Sequence, residues 1–323
     1  MNKTDLGDDA FKDRLSSFLQ AKAGLSLISL THIKHAVFIA QSPSADKYII
    51  KGIKSKKLVI QQAEFFEEFT ENSLIRFVPF PNRELFLYGF GMYWVIFPYQ
   101  PGNPLAFANN TDRQLAVTAL REFHDNARGI MLSNLVLRPP LHVKWESRLK
   151  TFSQTLGDFQ QIGYGKLGKD IVEVTLGMMA HFSSGDWITL EEEAVSKSSW
   201  THGDVASHNF LRHNRRNKTF IIDLDMLALA PEVYDWIQLG QRFLPYLENN
   251  AERLLASMPD LLDSQIALFL RATAIPADLI REWLLIYNQR IADSQLVKEH
   301  LTGLEYQWEQ RLKFVKDIEG MLI

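Results

Sequence analysis

The chain contains no cysteine. That absence excludes a disulfide scaffold, a thiolate zinc site and a cysteine nucleophile, and it suits an enzyme of the cytoplasm. No apolar run approaches the ~20 residues that a membrane helix needs. The polar, acidic stretch "MNKTDLGDDAFKDRL" does not read as a signal peptide. The expected location is therefore cytoplasmic, with no membrane partner. A strong charge of one sign is also missing: 35 Lys and Arg stand against 38 Asp and Glu, a net charge of −3. Nothing in that balance points to nucleic acid as a partner. There is no internal repeat or low-complexity segment, and no signal for an oligomeric state.

What is present is ordinary globular material. The 323 residues are 46% hydrophobic and 23% charged, enough for one large domain or two lobes without covalent staples. Residues 9–22 read as a helix. Short apolar runs at 25–31, 36–40 and 47–52 read as a strand meander, followed by a helix at 60–72. "ELFLYGF" (84–90) and "MYWVIFPY" (92–99) read as two strands turning near Gly91. After "QPGNP" (100–104) helical patterns dominate: 112–127, 144–160, 168–182, 233–248, 251–257, 263–272, 277–292 and 294–319. The exception is a strand pair around 210–223. The expectation is an α+β protein with a small antiparallel-sheet lobe at 1–99 and a larger helical lobe at 100–323. The Pro/Gly stretch at about 97–102 would be the hinge.

Chemistry concentrates in "HGDVASHNFL" and "TFIIDLD". A hairpin formed by these two runs brings Asp223 back toward Asn209 and Asp204. Two carboxylates and an amide oxygen are hard ligands that repel one another without a cation between them, which suits Mg²⁺ shared with nucleotide phosphates. A carboxylate not engaged by metal can orient a hydroxyl and accept its proton.

His202-Gly203-Asp204, Asn209 five steps on, Asp223-Leu224-Asp225, Pro231 and Tyr234-Asp235-Trp236 form an ordered set. "LREFHDN" (120–126) precedes it, centred on His124. The chain resembles the aminoglycoside phosphotransferase and choline kinase-like superfamily, which shares the two-lobed protein kinase-like fold and includes a bacterial spore-coat kinase-like branch. The resemblance implies an ATP-dependent transfer of the γ-phosphoryl group to a hydroxyl of a small molecule, of aminoglycoside, choline or homoserine type. It implies Asp204 as catalytic base, Asn209 and Asp223 as Mg²⁺ ligands and Asp235 as a structural anchor. Asp225 is either a further ligand or a helper that orients the loop. His208 is either a solvated loop residue or a substrate or phosphate contact.

The resemblance also implies an ATP-holding lysine in the small lobe, and "YIIK" (48–51) fits its strand. Alternation puts Ile49 and Lys51 on one face, toward adenine and phosphates, with Tyr48 and Ile50 turned to the core. Glu64 is the expected helical partner of Lys51, with Glu67 and Glu68 as rivals. Phe97 is expected to face the nucleotide. At the hinge Pro98 lacks an N–H, so Tyr99 or Gln100 would donate to adenine. Two departures stand out. The turn "THIKH" (31–35) has no glycine, although kinases generally cover the phosphates with a glycine-rich loop. The family's usual second histidine is Ala206. These departures favour an alternative in which the fold serves as a scaffold, such as a spore-coat-associated protein. An acidic lining would mark a cationic acceptor, but Glu248 and Glu252 alone do not decide it. "RHNRRNK" (212–218) reads as a solvated basic turn.

Overall fold

A computed structural model describes residues 8–213, 218–258, 261, 263–289 and 294–322. Most of the basic turn, residues 214–217, and the end of the helix expected at 277–292 lie outside the described residues. In chain order the elements begin with α1 (Asp9–Ala23), β1 (Ser29–Lys34), β2 (Val37–Gln41), β3 (Lys47–Ile53) and α2 (Lys56–Glu68). Next come β4 (Leu87–Gly89), β5 (Met92–Pro98), β6 (Asn103–Pro104), α3 (Asn110–Ala127), α4 (Leu141–Ser153), α5 (Leu156–Ile162), α6 (Gly165–Met179) and α7 (Ser184–Ser196). The chain continues through β7 (Trp200–Thr201), β8 (Phe210–Arg212), β9 (Thr219–Ile221) and β10 (Ala228–Leu229). It ends with α8 (Val233–Phe243), α9 (Ala251–Ala256), α10 (Asp263–Ala274), α11 (Ala277–Asn288) and α12 (Ser294–Met321). No described helix is long and apolar enough to cross a membrane.

The chain divides into two compact units. Unit 1 holds Met1–Pro104, Ala119–Val136 and His208–Leu227, and unit 2 holds Leu105–Thr118, Leu137–Ser207 and Ala228–Ile323. One sequence crossing therefore falls between Ser207 and His208, inside the motif that carries the chemistry.

Unit 1 is built on an antiparallel sheet in the order β1-β2-β3-β5-β4. Strand alternation sends Ile50, Trp94 and Ile96 to the face where α1 packs with Phe11, Leu15 and Leu19. Tyr48 packs there too, half-buried. The same alternation sends Ile53, Val95 and Phe97 to the other face, against Leu58 and Val59 of α2. The sheet thus lies between two helices, each contributing one apolar stripe. α1 starts where the Asp8 carboxylate accepts the Phe11 N–H at 2.5 Å, and it stops at Gly24 in the left-handed conformation. α2 starts earlier than its phenylalanine and glutamate content suggests, because the Ser55 hydroxyl accepts the Leu58 N–H and caps it. The hairpin of β8 and β9 pairs Phe210 with Ile221 and Arg212 with Thr219, and β6 lies along its edge.

Unit 2 is mostly helical. Phe152, Phe159, Ile171, Trp283, Leu301 and Trp308 share one apolar core. The helix expected at 144–160 is two helices, broken at Thr155, whose hydroxyl donates to Phe152 O and accepts from the Trp283 indole. α7, which no sequence pattern suggested, is fixed by a capping box of Ser183 and Asp186. α8 comes close to α10 at Gly240: a Cβ there would lie 2.9 Å from the Phe269 ring. β7 and β10 form a short antiparallel pair, Thr201 with Ala228.

Candidate active site

In unit 1 the chemistry gathers at the end of the β8–β9 hairpin. Ile222 N–H donates to Asn209 O at 2.9 Å, which fixes Asn209 beside the residue that precedes Asp223. Asn209 is fully buried. Asp223 adopts a left-handed backbone, φ +68°. Such strain is tolerated by Asp and Asn better than by most residues, and it concentrates at functional sites. Here it turns the chain out of β9 into the short 3₁₀ turn Leu224–Met226. Lys51 on β3 meets that turn. Its Nζ lies 2.6 Å from Asp223 Oδ1 and 2.7 Å from Asp225 Oδ1. Lys51 and Ile49 lie on the α2 side of the sheet, as alternation requires, and Phe97 pairs across the ladder with Ile49. Phe97 packs edge-on against Phe77.

Two expectations about this region are corrected. Glu64 does not pair with Lys51. It accepts the backbone N–H groups of Ser133 and Asn134 at 3.1 Å and the Asn134 side-chain amide, and so holds the segment after α3. The rivals Glu67 and Glu68 are exposed. The physical reason is helical phase: the face of α2 toward the Asp223 turn is occupied by amides instead. Gln62 donates to Leu224 O at 2.9 Å and to Asp225 Oδ1 at 3.3 Å. Gln61 donates to Leu227 O at 3.0 Å and accepts the Val136 N–H. Both glutamines are buried, so their partners are required rather than optional. The second correction concerns Tyr99. Its N–H already donates to Lys47 O at 3.0 Å, which leaves it unable to serve adenine. The N–H of Gln100 donates no hydrogen bond among the described residues. The connection that follows is pinned at Gly102, where any Cβ would lie 2.6 Å from Arg212 O.

The turn between β1 and β2, glycine-free in sequence, places His35 itself in the left-handed conformation, φ +46°. The His32 ring lies 2.7 Å from His35 O and ties the turn.

In unit 2 the motif around Asp204 is organised from below by Asp235 on α8. Its buried carboxylate accepts the N–H of His202 at 2.7 Å and of Gly203 at 2.9 Å. Gly203 has φ +79°, a conformation that a side chain would strain. His202 is buried, and its Nδ1 accepts the Asp204 N–H at 3.2 Å. It therefore serves inside the loop as a hydrogen-bond acceptor. Asp204 itself is partly exposed and is held by Arg242, Nη2 to Oδ1, at 2.7 Å. Burial pushes the Arg242 guanidinium down and the Asp204 charge counters it. Sequence reasoning missed Arg242, although a signal was present: it lies seven residues after Asp235, on the same face of α8. Tyr234 is buried and donates to Glu191 at 2.6 Å, with burial raising its hydroxyl pKa. Both facts make it a structural residue. His208 is exposed and Ala206 buried. Glu248 pairs with Arg253, and Glu252 is exposed.

A model of the phosphotransferase enzyme family matches residues 52–257, well over half of the chain. The chain belongs to that family. The phosphotransferase also matches solved structures over nearly its whole length. One is an aminoglycoside phosphotransferase from Alicyclobacillus acidocaldarius, 16% identical, covering 93% of this chain and 94% of that one, with a TM-score of 0.71. Another is spectinomycin phosphotransferase in complex with ADP and spectinomycin, 14% identical, covering 94% and 93%, TM-score 0.60. A third is the choline kinase of Streptococcus pneumoniae, 12% identical, covering 92% and 100%, TM-score 0.51. No curated protein sequence matches significantly. The family and the kinase-like fold make the chain a small-molecule kinase.

Proposed function

We propose that the phosphotransferase moves the γ-phosphoryl group of ATP to a hydroxyl of a small-molecule acceptor. The observation that carries this reading is the grip of one ammonium, Lys51, on two converging carboxylates, Asp223 and Asp225. A cation already sits where those oxygens meet, and the donor set is of the hard-oxygen type that Mg²⁺ takes. Asp223 and the Asn209 amide would hold the ion, with Asp225 beside them. When bound, such an ion offsets charge on the phosphate oxygens.

The chain's own groups supply the rest. Lys51 neutralises phosphate charge and offsets the mutual repulsion of the two carboxylates. The face carrying Ile49 and Phe97 receives the adenine, and Gln100 offers the backbone donor that Tyr99 cannot. Asp204 accepts the hydroxyl proton as the acceptor oxygen bonds to phosphorus and the bond from phosphorus to the β,γ-bridging oxygen breaks. Arg242 fixes the orientation of the Asp204 carboxylate. Gln61 and Gln62 position the Asp223 turn without touching substrate. The kinase-like relatives, crystallised with ADP, GDP or AMP, support a nucleotide as donor. The test is titration calorimetry of ATP with and without Mg²⁺, followed by single-turnover assays over an acceptor panel. Mg²⁺-dependent nucleotide binding that Lys51→Met removes is the expected result. Nucleotide binding that is indifferent to both Mg²⁺ and Lys51 overturns it.

A further inference from the structure

Unit 2 carries cations that these assignments leave unexplained. Lys144 and Arg148 lie one turn apart on α4, so their side chains leave the same helix face. Arg281 lies on α11, which packs against α4. All three are only partly exposed. Among the described residues, none of the three has a carboxylate within ion-pair distance, and the Arg281 Nε is buried without a hydrogen-bond partner. They also act on one another. Arg148 and Arg281 repel, Lys144 is opposed by Arg148, and Arg281 in turn opposes Arg242, the residue that holds Asp204. Burial, the largest cause, pushes Lys144 and Arg148 down from their ordinary values.

The carboxylates nearby do not resolve this. Asp278 is held by both terminal nitrogens of Arg311, at 2.6 and 3.1 Å. Asp235 serves two backbone N–H groups, and Glu191 serves the Tyr234 hydroxyl. Burial, and after it Asp278, push Glu282 up, while Arg281 and Arg311 pull it down. Among the described residues, Lys144, Arg148 and Arg281 are thus left without a carboxylate in direct contact, while Asp235 and Glu191 favour the charge of Lys144, and Asp278 that of Arg148, from farther away. Half-buried like charges without partners are costly to keep. Guanidinium groups match the geometry of carboxylates and phosphates.

Taking Asp204 as the base of the proposed reaction, we propose that the acceptor carries an anionic group, carboxylate or phosphate, beside its hydroxyl. Arg148, Arg281 and Lys144 bind that group, and the hydroxyl is thereby presented at Asp204, which Arg242 holds. A quaternary ammonium such as choline meets like charge here and is rejected. The same applies to a polycationic aminoglycoside.

The test uses the full chain without nucleotide, at low ionic strength, with inorganic phosphate, D-glycerate and choline as separate calorimetric probes. At least one anion binds, and the tighter of the two identifies the group. Arg148→Gln and Arg281→Gln each weaken it roughly 10- to 100-fold, as expected for charge-assisted hydrogen bonds. Arg148→Lys retains more affinity than Arg148→Gln, which separates lost charge from a fold defect, and thermal melts check each variant. Choline binding without anion binding overturns the proposal. So does anion binding that ignores both arginine substitutions, since a phosphate lodged elsewhere would behave that way. Mg²⁺–ATP titrations on the same samples keep the two claims apart. Intact nucleotide binding with no anion binding removes this inference alone, whereas absent nucleotide binding removes the kinase reading.

Discussion

Each unit holds its key aspartates with a cation, but with different chemistry. In unit 1 an ammonium, Lys51, grips Asp223 and Asp225. In unit 2 a guanidinium, Arg242, grips Asp204. A lysine head is a compact point charge on a flexible stem, able to trade a carboxylate for a phosphate oxygen. An arginine head is planar and directional, suited to holding one carboxylate in one orientation. The supports differ in the same sense. The Asp223 turn is hung from two glutamine amides of α2, while the Asp204 loop rests on a buried carboxylate, Asp235. The exchangeable holder thus goes with the proposed nucleotide side and the fixed holder with the proposed acceptor side.

Asp223→Ala should break this contrast most severely. It removes the carboxylate that pairs with Lys51 and that is proposed to hold the ion, and Mg²⁺-dependent turnover should fall on the order of 10³-fold or more. The melt should stay close to that of the parent. Retention of activity within a few-fold would remove Asp223 from the metal assignment. Next in size is Asp204→Asn, which keeps the shape and deletes the proposed base. Single-turnover rates should drop ~10²–10⁴-fold, with ATP affinity measured by calorimetry little changed. A loss of nucleotide binding in this variant would reverse the roles given to the two units.

Arg242→Ala sharpens the comparison. Turnover should fall roughly 10- to 100-fold, the scale of one charge-assisted hydrogen bond, with nucleotide affinity intact. Arg242→Lys should recover only part of the loss, because the planar fork is gone. Full recovery by lysine would mean that charge alone matters there. Gln61→Leu tests the hanger of unit 1. It leaves Leu227 O and Val136 N without their partner, and denaturant titration should show a loss of about 1–3 kcal/mol. The smallest effect is expected for Glu64→Gln, a few-fold at most in turnover, because Glu64 holds the 133–134 segment and not Lys51. A hundred-fold loss would show that Glu64 takes the lysine during the reaction.

Local pattern made much of this legible. Alternation along "YIIK" set the faces of Tyr48, Ile49, Ile50 and Lys51, and the strands bear it out. The spacing of Asn209 and Asp223 anticipated their shared hairpin. Pattern failed where a partner from another element decides. Thr155 splits an otherwise continuous helical run because its hydroxyl bonds both to the chain before it and to Trp283. Glu64 was assigned from a family habit, yet its phase on α2 carries it to a different loop. Tyr99 had an N–H on paper, and the carbonyl of Lys47 at the start of β3 had already taken it.

The sequence alone determined which residues could do chemistry and along which strand faces they lie, since alternation and motif spacing are properties of a few consecutive residues. Only the tertiary structure decided which acids Lys51 meets, across 172 residues of chain. It also decided that Arg242 holds Asp204, and that Lys144, Arg148 and Arg281 gather on packed helices with no ion pair of their own among the described residues. These outcomes depend on how helices pack. Packing is set by the summed burial of apolar faces rather than by any short stretch of sequence.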